Sequence, residues 1–252
     1  MTADSPIVSL AGVGKIFGAT RALDGFSLSV RRGEFVTLLG ASGCGKSTAL
    51  RILAGLIHPD RGEVTWPFGL ARVGFVFQEP TLMPWASVAK NVALPLELRD
   101  VSAAESAPRV AAALARVGLS GFTQAYPREL SGGMKMRVSI ARAIADEPDV
   151  LLMDEPFAAL DEITRFRLND DLLTLWQSLK QTIIFVTHSV FESVYLSQRI
   201  VVMRAQPGCV HRELAIDAPF PRDSSFRTSA EYAALCRRVS ASLHDAMAER
   251  AA

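Results

Sequence analysis

The segment Gly40-Ala41-Ser42-Gly43-Cys44-Gly45-Lys46-Ser47-Thr48 constrains the fold of this chain more than any other. It fits GxxxxGK[ST], follows directly on the branched apolar run 35–39, and opens a helical pattern over 46–56. Strand, glycine-rich turn and helix in that order are the context in which such a loop wraps an anion. The glycines let backbone N–H groups point inward, and the helix N-terminus adds the positive end of its dipole. Lys46 is then expected to reach the β- and γ-phosphates of a nucleoside triphosphate, with Ser47 on Mg²⁺ and Thr48 near the α-phosphate. Gly40, Ser42, Gly43, Cys44 and Gly45 complete the cradle.

Further short apolar runs occur at 73–77, 150–153, 183–187 and 200–203, each bounded by glycine, proline or polar residues. Runs of this length predict buried strands of a mostly parallel sheet. Between 163 and 179 the period changes, and Leu168, Leu172, Leu175, Trp176 and Leu179 mark one face of an amphipathic helix. The alternation is that of an α/β domain. Phe26, Leu28 and Val30 alternate with serines, which predicts a half-exposed antiparallel strand beside the core.

The stretch 87–145 carries no strand pattern. Val110, Leu114 and Val117 form a helical stripe there, and a second helical pattern spans 134–145. The expected organisation over 1–252 is a core at about 1–86 and 146–215, an inserted helical subdomain at about 87–145, and a C-terminal linker and helix at about 216–252. Within that last part, 217–222 reads as a proline-containing linker and 229–252 as helix.

A phosphate loop needs a carboxylate to hold Mg²⁺. Asp154 supplies one at the end of an apolar strand, where the ligand residues of α/β sheets sit. Glu155, one position on, is placed to polarise an attacking water as general base.

Leu130-Ser131-Gly132-Gly133-Met134 precedes that strand and opens a helix. Ser131 and the N–H groups of Gly132 and Gly133 would make a second anion site at a helix N-terminus. The segment resembles the LSGGQ signature of ATP-binding cassette (ABC) proteins, and further resemblances cover nearly the whole chain. Gln78 matches the glutamine that touches Mg²⁺ and the attacking water. Ala158-Ala159-Leu160-Asp161 resembles the D-loop, whose aspartate reaches across a dimer. His188 matches the histidine that contacts the γ-phosphate. Phe17 lies where the family places a ring against adenine, although it would equally suit a core position.

The resemblance implies a P-loop NTPase (RecA-like) core with an N-terminal antiparallel β subdomain and an inserted helical subdomain. It also implies ATP and Mg²⁺ bound between two copies of the chain. Glu155, His188, Gln78 and Lys46 are the implied catalytic groups, and Ser47, Gln78 and Asp154 the implied metal ligands. The chain departs from the family pattern at Met134 and Met136, where glutamines are usual, and at Ala158, where serine is common.

Within the family, Gln78 to Trp85, Asn91 to Leu96, Glu155 to Arg165 and Phe226 to Tyr232 resemble importers of nitrate, sulfonates and taurine. That implies integral membrane permease subunits as partners. It also implies a periplasmic or lipid-anchored solute-binding protein reached through the permease. The proline-stiffened loop ending in Trp85 would suit docking of a permease helix, or else Trp85 folds inward as part of an ordinary loop. A net charge of +1 gives no pull toward nucleic acid, and no nucleic-acid partner is expected. Three cysteines without a CxxC pair point away from a disulfide framework or zinc site. Residues 1–9 lack a secretory pattern, and no apolar run approaches a membrane span. The expected location is peripheral, on the cytoplasmic face of the membrane.

Overall fold

A computed structural model gives the architecture, and residues 5–69 and 71–248 are described here. In chain order the elements are β1 (Pro6–Phe17), β2 (Thr20–Arg31), β3 (Phe35–Leu39), α1 (Lys46–Leu53), β4 (Arg61–Thr65) and β5 (Val73–Val76). Then come α2 (Val88–Glu97), α3 (Ala103–Arg116), α4 (Gly132–Ile144), β6 (Val150–Asp154), α5 (Glu162–Leu179) and β7 (Thr182–Thr187). The chain continues with α6 (Val190–Leu196), β8 (Arg199–Arg204), β9 (Cys209–Ala215), α7 (Ser224–Arg227) and α8 (Ala230–Ala248). Contacts divide it into two compact units, Met1–Ala71 with Lys180–Ala252, and Arg72–Leu179.

In the first unit β1 pairs antiparallel with β2 on one side and β4 on the other. Phe26, Leu28 and Val30 of β2 are buried with exposed residues between them, as their alternation predicts. Strand β1 leaves no such trace in the sequence. Its register with β2 shifts between Leu10 and Val13 and again before Lys15, and each irregularity resets the two-residue period.

A second sheet part in this unit places β3 between β7 and β8, all parallel, with β9 antiparallel on the far side of β8. Every residue of β3 and β7 is buried. Full burial of a Val, Leu, Ile or Phe side chain stabilises by about 1.5–3 kcal/mol, so these continuous apolar runs fix the strands. Helix α6 packs on β3, and α8 packs on α6 and β8. The expected C-terminal helix runs from Ala230 to Ala248, while 249–252 lie outside the described residues, as do 1–4 at the start.

In the second unit β5 and β6 form a parallel pair with Val73 opposite Val150 and Val76 opposite Met153. The ladder ends at Val76, one residue short of the apolar run, and Phe77 is already partly exposed. Between 87 and 145 the described residues hold helices and two 3-10 turns and no strand. Val110 and Leu114 of α3 are buried, with Val117 at its C-cap. Ser87, Ser102 and Ser131 cap α2, α3 and α4, each accepting from a backbone N–H three residues on. Helix α5 buries Leu168, Leu172, Leu175 and Trp176. Among the described residues no helix is long and apolar enough to cross a membrane.

Candidate nucleotide site

Strand β3 ends at Leu39 and the chain turns at once into the glycine loop. Gly45 caps α1 at φ 91°, and its Cα sits so close to β2 that an added Cβ would lie 2.7 Å from the Ala22 carbonyl oxygen. Only glycine fits that conformation and that gap. As N-cap it also offers no side-chain acceptor to the first turn of α1. Such a helix start suits an anion supplied from outside. The Lys46 side chain is buried, and its Nζ donates to the carbonyls of Gly40 at 2.8 Å and Ala41 at 3.0 Å. The ammonium is thereby held within the loop it is expected to serve. Ser47 and Thr48 follow on the first turn of α1, both half-buried.

Two more predicted residues belong to the same unit. Leu39 of β3 pairs with Thr187 of β7, so Gly40 and His188 both start just past the end of this parallel ladder. His188 is exposed there. Phe17 sits at the end of the β1–β2 hairpin, opposite Thr20, and is 48% exposed. A core role for Phe17 is thereby set aside. The Lys15 Nζ lies 5.6 Å from its ring centre and donates to Asp60 at 2.8 Å, while the Ile16 N–H donates to the other Asp60 oxygen at 2.7 Å. These bonds anchor the strand end that carries Phe17. They also hold the Asp60 carboxyl below the usual carboxylate range, the Lys15 hydrogen bond contributing most.

In the second unit Asp154 ends β6 and is 8% exposed. A buried carboxylate oxygen is a suitable Mg²⁺ ligand. Glu155 follows at φ 44°, a left-handed conformation that costs a non-glycine residue roughly 1–2 kcal/mol. Its carbonyl accepts from the Ala158 N–H at 3.2 Å, so the turn is fixed. Because Val76 pairs with Met153, Gln78 stands two residues past the ladder, as Glu155 does, and is exposed.

The serine–glycine turn and the D-loop pack together. The Ser131 hydroxyl caps α4 by accepting from the Met134 N–H at 3.3 Å. A Cβ on Gly132 would lie 3.4 Å from Leu160, and one on Gly133 would meet the Thr164 methyl at 2.7 Å. Asp161 accepts from the Thr164 N–H at 2.9 Å. Hydrogen bonds from Thr164, its side chain first, hold the Asp161 carboxyl low. Met136, one departure from the family pattern, is buried and packs as a core residue.

Three polar residues with structural roles, two beside the Trp85 loop and one in the first unit, escaped sequence reasoning. Arg142 of α4 donates to the Pro80 carbonyl at 2.8 Å and the Thr81 carbonyl at 2.9 Å. Asn91 is fully buried in α2; its Oδ1 accepts from the Met83 N–H, and its Nδ2 donates to the carbonyls of Met83, Ala86 and Ser87. Between these two clamps Trp85 stands 77% exposed, so the alternative in which it folds inward does not hold. Arg222, in the stretch read as a linker, is also buried. The only available sequence signal was a polar residue inside an apolar helical face, as at Asn91.

A sequence profile of the family described as ABC transporter matches residues 23–158. An uncharacterised ABC transporter ATP-binding protein of Methanocaldococcus jannaschii is 50% identical, over 84% of this chain and 80% of its own length. An aliphatic sulfonates import ATP-binding protein, SsuB of Bacillus cereus, is 42% identical over 92% of this chain and 94% of its own. Among solved structures, the ATP-binding cassette MJ0796, a dimer in a post-hydrolysis state bound to ADP and Pi, superposes with a TM-score of 0.72. It is 33% identical, over 84% of this chain and all of that one.

Proposed function

The chain belongs to the ABC transporter family and is an ATP-hydrolysing cassette, and from that premise we propose that it energises solute import through a membrane permease. The solute class we assign is small and anionic, of the nitrate, sulfonate or taurine kind. The reading is supported by the four importer-like segments of the sequence and by the 42% identity to a sulfonate-import protein. The chain would sit peripherally at the cytoplasmic face of the membrane, with a periplasmic or lipid-anchored receptor delivering solute to the permease.

In the proposed mechanism two copies clasp ATP, as the dimeric cassette among the similar structures suggests. The glycine loop and Lys46 of one copy bind the phosphates, Phe17 stacks on the base, and Ser131 with Gly132 and Gly133 of the other copy closes over the γ-phosphate. Asp161 lies beside that turn and would face the partner. By the family resemblance, Ser47, Gln78 and Asp154 would supply the oxygen ligands for Mg²⁺. When bound, that ion neutralises charge on the transferred phosphoryl group. Glu155 takes the proton of the attacking water, and Gln78 and His188 orient it against the γ-phosphate. Closure upon binding moves the docked permease, and hydrolysis lets the halves separate.

The observation that carries the import reading is Trp85, exposed at the tip of a loop that starts at Gln78 and is clamped by Arg142 and Asn91. A rigid apolar tip next to a γ-phosphate-sensing glutamine is suited to transmit nucleotide state to a docked helix. The test is Trp85→Ala in reconstituted vesicles. ATP binding and the basal ATPase of the isolated subunit should persist while solute uptake falls at least about tenfold, as loss of a buried aromatic anchor predicts. Undiminished uptake would refute the docking role.

A further inference from the structure

Nothing in the proposed mechanism uses the C-terminal segment, yet it makes a cluster of polar contacts with α6. Arg222 is 5% exposed and lies outside any helix or strand. Its Nη1 donates to the carbonyls of Val194 at 2.9 Å, Tyr195 at 3.0 Å and Ser197 at 2.9 Å. These belong to the last turn and C-cap of α6, where carbonyls have no partner within the helix. Its Nη2 donates to the Ala218 carbonyl at 2.9 Å, tying the linker to the same guanidinium. In return the Tyr195 hydroxyl donates to the Arg222 carbonyl at 2.9 Å. Burial pushes the guanidinium down to about 10, so it keeps its charge at neutral pH, where it also complements the negative end of α6.

The other end of α6 is held as well. The Tyr232 hydroxyl, from α8, donates to the Phe191 carbonyl at 2.9 Å. Helix α6 starts at its cap Ser189, the residue after His188. Within the helix, Glu192 is buried and accepts from the Thr187 hydroxyl at 2.5 Å. The Ser189 N–H donates to that same hydroxyl at 3.0 Å. Direct contacts therefore run from Arg222 and Tyr232, through α6, to Thr187 and Ser189, the two neighbours of His188.

We propose that the C-terminal segment is a brace that sets the position of His188 through α6, with Arg222 as its main positioning residue. The proposal rests on the reading of His188 as the group that contacts the γ-phosphate. A planar fork can satisfy three helix-end carbonyls and the linker at once, which a lysine ammonium or an apolar side chain of similar length cannot. Loosening α6 displaces the histidine but leaves Lys46 and the glycine loop in place. The signature is thus a fall in turnover without loss of ATP affinity.

The experiment is steady-state ATPase on the full-length subunit. Arg222→Met should lower kcat about tenfold while KM for ATP stays within about twofold. Tyr232→Phe removes one hydrogen bond without a cavity and should lower kcat by a smaller factor, which keeps the test available if Arg222→Met fails to fold. In a His188→Ala background neither substitution should lower residual turnover further, since the brace acts through the side chain already removed. Unchanged kcat in both variants overturns the brace. So does a KM that rises in step, or reductions that multiply with His188→Ala. Normal turnover by His188→Ala alone defeats instead the assignment of the histidine, on which the brace depends.

Discussion

Leu39 and Thr187 are partners in adjacent parallel strands, so Gly40 and His188 are the first residues beyond one sheet edge. The glycine loop and His188, the proposed γ-phosphate contact, are nearly 150 residues apart in sequence and are thereby joined by strand register rather than by flexible loops. A site held this way depends on close backbone packing beneath it.

Gly45→Ala tests that packing. The new methyl would meet the Ala22 carbonyl at 2.7 Å, in a backbone conformation already unfavourable to alanine. ATP affinity, read with a fluorescent ATP analogue, should fall at least about tenfold, equivalent to ~1.4 kcal/mol. Gly121→Ala, where a Cβ meets nothing within 4 Å, should leave it unchanged.

Gly133→Ala probes the proposed second anion site. Its methyl would press on the Thr164 side chain at 2.7 Å and disturb the turn that Ser131 caps. Binding of ATP to a single copy should survive, while ATP-dependent dimerisation and hydrolysis fall together. Full hydrolysis by this variant would place the composite site elsewhere.

Asp60 yields a pH prediction. The Lys15 hydrogen bond depresses its carboxyl in the folded state, so its contribution to stability is present above the ordinary carboxylate value, ~4. That contribution is lost as pH falls through the lower folded-state value. Thermal melts should show Asp60→Asn less stable than the parent at pH 6, with the gap narrowing toward pH 3. A gap that widens on acidification would reverse the sign of the effect. Because Asp60 also holds the Ile16 N–H beside Phe17, the variant should bind ATP more weakly as well.

Much of this was legible in the sequence because the phosphate loop, the Asp154–Glu155 strand end and the Ser131 turn each impose local chemistry on consecutive residues. The fold class followed from apolar runs buried on both faces, such as Phe35–Leu39. What escaped depended mostly on distance. Arg142 and Arg222 each satisfy backbone carbonyls of other segments, and Arg142 reaches Pro80 across 62 positions, which no periodicity encodes. Strand β1 escaped because its irregularities break the alternation that reveals β2. Arg222 was hidden by composition, since a proline-rich stretch reads as linker even where one of its side chains is buried.

The central claim is that two copies of this chain clasp ATP and that Glu155 drives its hydrolysis. Light scattering of purified Glu155→Gln with and without Mg-ATP tests both halves when read beside its turnover. The account predicts a mass that doubles on adding Mg-ATP, reverts when Ser131→Ala is combined with it, and accompanies turnover reduced by about 10²–10⁴. A variant that stays at the mass of one chain in saturating Mg-ATP, or that hydrolyses ATP at the parent rate, would contradict it.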